Sequence, residues 1–402
     1  MAVDTPRLAR ASVSVVVRVR AALVLLVALA LACASAPSGR DRAGITPDEL
    51  QAGAPLGAEQ ESPALVDEEA VLAVSAEMQD FLSAHVARTA DRATRLRRLA
   101  RAIVGKGTFG LEYEETTRTA SETFRTRRGN CLSFSTMFVA MARHVGLSAD
   151  YQEVDVPPDW SFKDDAFVLN RHVNVLVDLG KEGEHVVDFN MDDFRTTYDR
   201  RAISDARALA HFYNNMAVER MQAGDTASAL ISFRRATVHD PRFSPAWTNL
   251  GILYLRKGHP DYAEAAYRQA LKADGGDLVA MSNLANLYER RGDEERAALY
   301  RNRVADHRQR NPYYRFQRAR EAFDAQGYDT AIRHLDYAIR RKKNEDRFYF
   351  LLGLCYLKKG DQPAARRWMS RAEEVSATDA LKRRYSSKID ILLSAPPDDG
   401  GP

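Results

Sequence analysis

Arg128-Gly129-Asn130-Cys131-Leu132-Ser133-Phe134 is a turn that leads into a helix and carries a cysteine at the junction. Glycine suits such a turn because it has no Cβ and adopts backbone conformations that other residues avoid. From Leu132 to Gly146 the apolar residues recur at helical spacing, at positions Phe134, Phe138, Met141 and Val145. The positive end of a helix dipole can lower the pKa of a cysteine from about 8.5 to between about 3.5 and 7.5. The pattern therefore predicts a nucleophile at Cys131.

Three segments after this helix are typical of β-strands, namely 149–155, 171–178 and 185–190. His172 opens the second segment, Asp188 lies in the third, and residues 180–184 form the turn between them. On adjacent strands an aspartate can orient an imidazole that faces a cysteine. The sequence predicts that Cys131, His172 and Asp188 form one site. The segment 155–170, which contains Trp160, is too long for a simple hairpin loop, and Trp160 contacts either the substrate or its own loop.

This order of residues, with 41 positions from Cys131 to His172 and 16 more to Asp188, resembles the transglutaminase-like superfamily. The resemblance covers about 110–192 and also includes the helix end Arg143-His144-Val145-Gly146-Leu147. It implies a papain-like α+β core with a Cys-His-Asp triad. Two positions depart from the family pattern: Leu132 follows the cysteine where animal enzymes have an aromatic residue, and Asn174 stands where many relatives have one.

The resemblance implies thiolate attack on a carboxamide, followed by water in a hydrolase or by an amine in a crosslinking enzyme. The alternative is a structural cysteine in a non-catalytic domain that binds peptides. His144 and His185 are rival histidines. His144 lies about 20 Å along the helix from Cys131 at 1.5 Å per residue. His185 is three residues before Asp188, on the opposite face of a strand.

From His211 onward the sequence is periodic. Glycines recur at intervals of 33 to 35 residues, at Gly224, Gly258, Gly292, Gly327 and Gly360. Small residues recur with them, at Ala217, Gly251, Ala285 and Gly353 and at Ala229, Ala263, Ala297, Ala331 and Ala365. Small side chains at two such sets allow paired helices to approach closely. The pattern resembles five tetratricopeptide (TPR) repeats over about 211–380, capped by a helix at 379–394. We expect an α+β papain/transglutaminase-like domain followed by an all-α TPR solenoid.

Repeat arrays of this kind form a concave binding groove. Asn215, Asn249 and Asn283 occupy equivalent positions in the first three units, where the resemblance implies contact with an extended peptide. The alternative is that asparagine is only the common residue of the repeat. Residues 211–394 carry 33 Lys and Arg against 23 Asp and Glu, which favours an anionic protein or peptide partner or attraction between the two halves of the chain.

The N-terminus has the composition of a secretory signal. Basic residues Arg7, Arg10, Arg18 and Arg20 precede an apolar run from Ala21 to Ala32. Leu29-Ala30-Leu31-Ala32-Cys33 resembles a bacterial lipobox, which implies lipidation of Cys33 and a membrane-anchored lipoprotein in the periplasm. An ordinary cleaved signal and an uncleaved anchor are the alternatives. The predicted organisation is a signal peptide over 1–32, a flexible lipid-anchored tether over 33–62, a transglutaminase-like domain over 63–205, a TPR array over 211–394 and a disordered tail over 395–402.

Composition narrows the function classes further. Without its first 32 residues the chain of 402 residues has 54 basic and 54 acidic residues, so nothing in the charge favours nucleic acid. Three cysteines do not make a disulfide framework, and Cys355 lies in an apolar helical run where burial is expected. No His, Cys or carboxylate cluster has metal-ligand spacing and no glycine-rich phosphate loop occurs. We expect no metal and no cofactor.

Overall fold

The computed structural model describes residues 44–57, 65–87, 89–104, 109–163, 166–189 and 198–376, together with 382, 383, 385–387 and 389. At 156–163 and 166–171 it describes the backbone alone. The predicted signal peptide, Cys33 and the 395–402 tail lie outside the described residues. So does most of the predicted capping helix at 379–394, whose described positions are helical.

A short helix stands within the range predicted as a flexible tether. Helix α1 spans Pro47–Ala52 and begins with a capping box formed by Thr46 and Glu49. Its Leu50 is 1% exposed, and the carbonyl of Leu50 accepts a hydrogen bond of 2.6 Å from the Tyr254 hydroxyl. Residues 45–57 are therefore held against the repeats by apolar burial, and the prediction of a tether is wrong for this part of 33–62.

After α1, the described residues form five further helices and a short parallel bridge before the main sheet. The helices are α2 (Glu68–Val71), α3 (Ala76–His85), α4 (Arg92–Val104), α5 (Ala120–Thr126) and α6 (Cys131–His144). Strands β1 (Glu112–Tyr113) and β2 (Arg128–Gly129) pair in parallel just before α6. This bridge places residues 112 and 113 beside the turn that leads to Cys131.

The main sheet is antiparallel and has the strand order β5-β4-β3-β6 among the described strands. Its strands are β3 (Ser148–Lys163), β4 (Ala166–Asp178), β5 (Glu184–Val187) and β6 (Arg200–Ile203). The strands β3 and β4 form one long hairpin with a bulge between Asp155 and Trp160. The loop expected over 155–170 is therefore wrong, since strand pairing continues through it. The side chain of Trp160 lies outside the described part of the chain.

Helix α6 packs against the centre of this sheet. Its buried face includes Met137 and Phe138, which join Tyr151 of β3 and Val175 of β4 in one apolar core. All four residues are no more than 1% exposed. Burial on this scale stabilises by roughly 1.5 to 3 kcal/mol for each large side chain. The core thus fixes the N-terminus of α6 relative to β4.

Between residues 205 and 375, which the structure describes without a gap, ten helices follow in five antiparallel pairs. The first helices of the pairs are α7 (Asp205–Gln222), α9 (Ser244–Arg256), α11 (Leu278–Arg290), α13 (Pro312–Asp324) and α15 (Asp346–Lys358). The second helices are α8 (Thr226–His239), α10 (Pro260–Ala273), α12 (Glu294–Arg310), α14 (Tyr328–Arg341) and α16 (Gln362–Val375). A Cβ on Gly251 would lie 2.5 Å from the Tyr267 ring, so the small-residue pattern marks real close contacts.

The α+β domain contacts the first helices of the array. The buried carboxylate of Glu153 on β3 accepts hydrogen bonds from Arg207 and His211 of α7, at 2.8 Å and 2.6 Å. Further along the array, β4 contacts α11 and β3 contacts α13. Tyr198, just before β6, packs against Tyr313 of α13 with ring centroids 6.2 Å apart. The domain therefore lies along one face of the array.

Among the helices that the structure describes, none is both long enough and apolar enough to cross a membrane.

Candidate active site

The turn before α6 sets the position of Cys131. Asn130 caps the helix by accepting a 2.9 Å hydrogen bond from the Ser133 amide, and its own side-chain amide donates to Thr117 Oγ1 at 2.8 Å. A Cβ on Gly129 would lie 2.6 Å from the Cβ of Ser133, so only glycine fits there. Cys131 is the first residue of the helix and is partly exposed. A thiol in this place is accessible and feels the helix dipole.

His172 and Asp188 meet through a direct hydrogen bond. The Nε2 atom of His172 lies 2.8 Å from Asp188 Oδ2 and 2.9 Å from Asp188 Oδ1. The Cys131 thiol hydrogen-bonds to the same imidazole. Since Nε2 faces the carboxylate, Nδ1 is the nitrogen left for the sulfur. The structure thus brings the three predicted residues together in the order carboxylate, imidazole, thiol.

Strand register explains this meeting. Strand β5 ends at Val187, which pairs with Val175, so Asp188 stands beside Asn174 one step further along β4. Beyond that step β4 has no partner on its β5 side among the described residues. The N-terminal turn of α6 approaches there, and Ser135 Oγ donates to the Val173 carbonyl at 3.0 Å. Helix and strand edge are therefore joined next to the thiol.

Two opposing effects act on each partner of the thiol–imidazole pair. Burial raises the pKa of Cys131, but the hydrogen bond and charge of His172, with the backbone amides of Val173 and Leu132, outweigh it and lower that pKa. Burial lowers the pKa of His172, but Asp188 and the Cys131 sulfur outweigh it and raise that pKa. Both shifts favour the thiolate–imidazolium form of the pair.

Asn174 is a residue of the site that the sequence did not predict. It is fully buried, and its Nδ2 donates to Asp188 Oδ2 at 2.9 Å. The aspartate therefore accepts from His172 on one side and from Asn174 on the other. The departure from the family pattern at position 174 was the available signal, since a polar residue there faces the carboxylate on the same sheet face.

Tyr113 is a second such residue. It lies on β1 opposite Gly129, which is two residues before Cys131, and 69% of its surface is exposed. Although most of the side chain is exposed, partial burial of the phenol raises its pKa, and the nearby charges of Cys131 and Glu115 raise it further. An exposed aromatic hydroxyl thus stands within electrostatic reach of the thiol. Tyr113 lies 18 positions before Cys131 in the sequence, and no local sequence pattern links the two residues.

The other predicted residues lie apart from the triad. His144 ends α6, and the exposed His185 lies on β5 opposite Val177. Asn215 and Asn249 are half-buried on α7 and α9, and Asn249 donates to Asn214 at 3.0 Å. Cys355 is fully buried, and burial raises the pKa of its thiol to about 12.

Asn283 is buried on α11, and its Nδ2 has no hydrogen-bond partner among the described residues. Among all residues that the structure describes, no group of three or more His, Cys, Asp or Glu side chains is placed to hold a metal ion.

A thiol at a helix N-terminus is hydrogen-bonded to a histidine, and that histidine is hydrogen-bonded to an aspartate beside the next strand. This arrangement is that of a papain-like α+β domain, here followed by a helical-repeat array. Residues 80–187 match the model of the transglutaminase-like superfamily. Residues 214–277, 248–313 and 316–380 match the tetratricopeptide repeat family. The chain therefore carries a transglutaminase-like core domain followed by TPR repeats, and the predicted fold class is confirmed.

Several solved structures are similar to part of the chain. The crystal structure of MamA protein is 19% identical, with 44% of this chain and 95% of that one covered and a TM-score of 0.23. YrrB, described as a TPR protein with an unusual peptide-binding site, is 17% identical, with 44% of this chain and 92% of YrrB covered and a TM-score of 0.23. PilF of Pseudomonas aeruginosa is 15% identical, with coverages of 47% and 86% and a TM-score of 0.25. Among curated proteins no significant match was found.

Proposed function

We propose that this protein carries out cysteine-dependent acyl transfer or amide hydrolysis through Cys131, His172 and Asp188, and that its repeats bind a protein or peptide partner. The observation that supports the chemistry best is the continuous hydrogen bonding from Asp188 through His172 to the thiol. Support for the partner comes from the TPR family match. The non-catalytic peptide-binding domain is the competing reading, and the experiment below separates the two.

In the proposed reaction the Cys131 thiolate attacks the carbonyl carbon of a carboxamide. The backbone N–H of Cys131 has no partner within the helix, since it belongs to the first turn, and it donates to the developing oxyanion. The His172 imidazolium protonates the departing amine as the C–N bond breaks, which leaves a thioester on Cys131 and a neutral imidazole. Asp188 holds the ring and stabilises its charged form.

The second half of the reaction restores the pair. Neutral His172 takes a proton from water or from an amine as that molecule attacks the thioester carbon. The C–S bond breaks, the acid or the new amide leaves, and thiolate and imidazolium form again. Because Cys131 is partly exposed, either acceptor can reach the thioester. The choice between hydrolysis and crosslinking depends on which acceptor the bound partner presents.

One experiment tests the proposal and its two branches together. The full chain is incubated with a glutamine-containing protein and a fluorescent primary amine, and both ammonia release and amine incorporation are measured against a Cys131→Ala variant. Incorporation lost in the variant indicates transfer, and ammonia release without incorporation indicates hydrolysis. If neither occurs and Cys131 also alkylates as an ordinary thiol, the non-catalytic reading replaces this one.

We also propose that the protein is a periplasmic lipoprotein anchored through Cys33. The support is the basic segment with Arg7 and Arg10, the apolar run up to Ala32 and the lipobox-like residues before Cys33. Cells grown with labelled palmitate should incorporate label into the wild-type chain and not into Cys33→Ala. Equal labelling of both proteins would rule out this anchor.

A further inference from the structure

A cavity of about 500 Å³ opens between the last two repeats. We call it the basic cavity and define it by Arg340 on α14, Lys343 just after it, Tyr349 on α15, and Arg367, Trp368 and Arg371 on α16. It is built mainly from second helices. It is therefore a different surface from the face of first helices that contacts the α+β domain.

The floor of the basic cavity is aromatic. The rings of Tyr349 and Trp368 stack with centroids 6.1 Å apart and planes at 21°. The indole Nε1 of Trp368 is buried and has no hydrogen-bond acceptor among the described residues. A buried donor without an acceptor costs about 1 to 3 kcal/mol, and a bound group with an oxygen in reach would relieve that cost.

The rim of the cavity is cationic. Arg367 lies over the Trp368 ring at 5.2 Å, and Arg371 lies over Tyr349 at 5.9 Å. The one carboxylate among the lining residues is Glu374, which pairs with Arg371. Four cations and one carboxylate leave three positive charges around an apolar floor. Such a surface is complementary to a ligand with negative charges on both sides of an apolar group.

We propose that the basic cavity binds an acidic peptide segment, with carboxylates on the rim cations and one aromatic or large aliphatic side chain against Tyr349 and Trp368. A peptide fits better than a lipid surface because the apolar floor is recessed, whereas a membrane presents a flat layer of charge. This deepens the partner-binding part of the proposed function and does not depend on the chemistry of Cys131.

The test uses the full chain and a fluorescein-labelled peptide with glutamates on both sides of one phenylalanine. Binding is measured by fluorescence anisotropy at low and at high salt. The double charge reversal Arg340→Glu with Arg367→Glu should weaken binding at least about tenfold, since two attractions become repulsions. Lys272→Glu with Arg290→Glu, two exposed cations elsewhere in the array, is the matched control for net charge and should stay within about twofold.

Three further measurements make the outcome decisive. A peptide with glutamine in place of every glutamate should not bind. Cys131→Ala should bind the acidic peptide like wild type, so a failed enzyme proposal leaves this result intact. Trp368→Phe should abolish the change in tryptophan emission on binding. The proposal is overturned if both charge-reversed proteins lose binding equally, or if phosphatidylglycerol vesicles bind through Arg340 and Arg367 while the peptide does not.

Discussion

Replacement of Asp188 by asparagine should weaken the thiolate–imidazolium pair without removing the side chain that holds it. Asp188 is 3% exposed, and both of its oxygens lie within 2.9 Å of His172 Nε2. Asn174 donates to Oδ2 from the other side. An asparagine at 188 has only one oxygen for these two donors, so it loses both the charge and one acceptor.

The size of the effect follows from the loss of charge. A hydrogen bond to a charged group contributes about 1.5 to 3 kcal/mol and a neutral one about 0.5 to 1.5 kcal/mol. The difference of about 1 to 2 kcal/mol corresponds to a fall of about one unit in the pKa of His172, at 1.36 kcal/mol per unit. The pH at which His172 loses its proton, and with it the charged pair, should then fall by about one unit.

The assay is the rate of iodoacetamide alkylation of Cys131 as a function of pH, read by mass spectrometry. Cys33→Ala and Cys355→Ala in the background leave Cys131 as the one reactive thiol of the chain. The wild-type rate should persist well below pH 7, because the pKa of Cys131 is lowered and that of His172 is raised. Asp178→Asn changes an exposed carboxylate at the end of β4, the strand that carries His172, and is the matched control.

Two results would refute this reasoning. If Asp188→Asn and wild type alkylate at equal rates across the pH range, the carboxylate does not support the charged pair. If both proteins titrate near pH 8.5, Cys131 is an ordinary thiol and the pair does not exist. A slower reaction in the Asp178→Asn control as well would show that a surface charge alone causes the change.

Three other changes give independent checks. Glu153→Gln should lower the free energy of unfolding by about 3 kcal/mol, measured by urea denaturation, because it leaves the cations around a buried site without their carboxylate. Burial opposes the ionisation of Glu153, but His211 and Arg207 outweigh it and lower its pKa. The stabilisation by the ionised carboxylate should therefore be full above about pH 4.3 and be lost as the pH falls further. If Glu153→Gln and wild type show the same acid unfolding transition, the carboxylate does not stabilise the fold in this way. Gly251→Ala should lower the free energy of unfolding by about 1 to 3 kcal/mol, because its Cβ would lie 2.5 Å from the Tyr267 ring. Gly275→Ala, whose Cβ would lie 3.9 Å from its nearest neighbour, should leave the free energy of unfolding nearly unchanged in the same urea denaturation. Tyr113→Phe should leave the alkylation rate of Cys131 within about threefold of wild type. If the hydroxyl contacts the reacting group, the same change should lower turnover about tenfold. Equal turnover in the two proteins would exclude such a contact.

Local sequence patterns were sufficient for much of the fold. The helix after Cys131 and the strands around His172 and Asp188 follow from apolar periodicity, and their register brings the three residues together. The repeat array follows from the recurrence of small residues such as Gly251, because close helix pairs exclude larger side chains there.

Contacts between distant segments were not readable in this way. Helix α1 is six residues long, and its stability depends on Leu50 meeting a repeat about 200 positions later in the chain. Two partners of Glu153, Arg207 and His211, lie on α7, and Tyr113 is placed near Cys131 by a two-residue bridge. No periodicity encodes these pairings, because each depends on the tertiary arrangement alone.

The contact between Glu153 and α7 has a consequence for biosynthesis. The segment that carries Cys131, His172 and Asp188 leaves the ribosome before the repeats. The side chains of α7 that bind the buried carboxylate are translated about 54 to 58 residues after Glu153. Until then Glu153 has Arg201 of β6 as a partner but lacks the two side chains of α7 that complete its burial. A nascent or truncated chain that ends before α7 should therefore keep an immature sheet, and thiol reactivity would appear only after the first repeat has folded onto it. Such an order of assembly would delay a reactive cysteine until the rest of the chain is made.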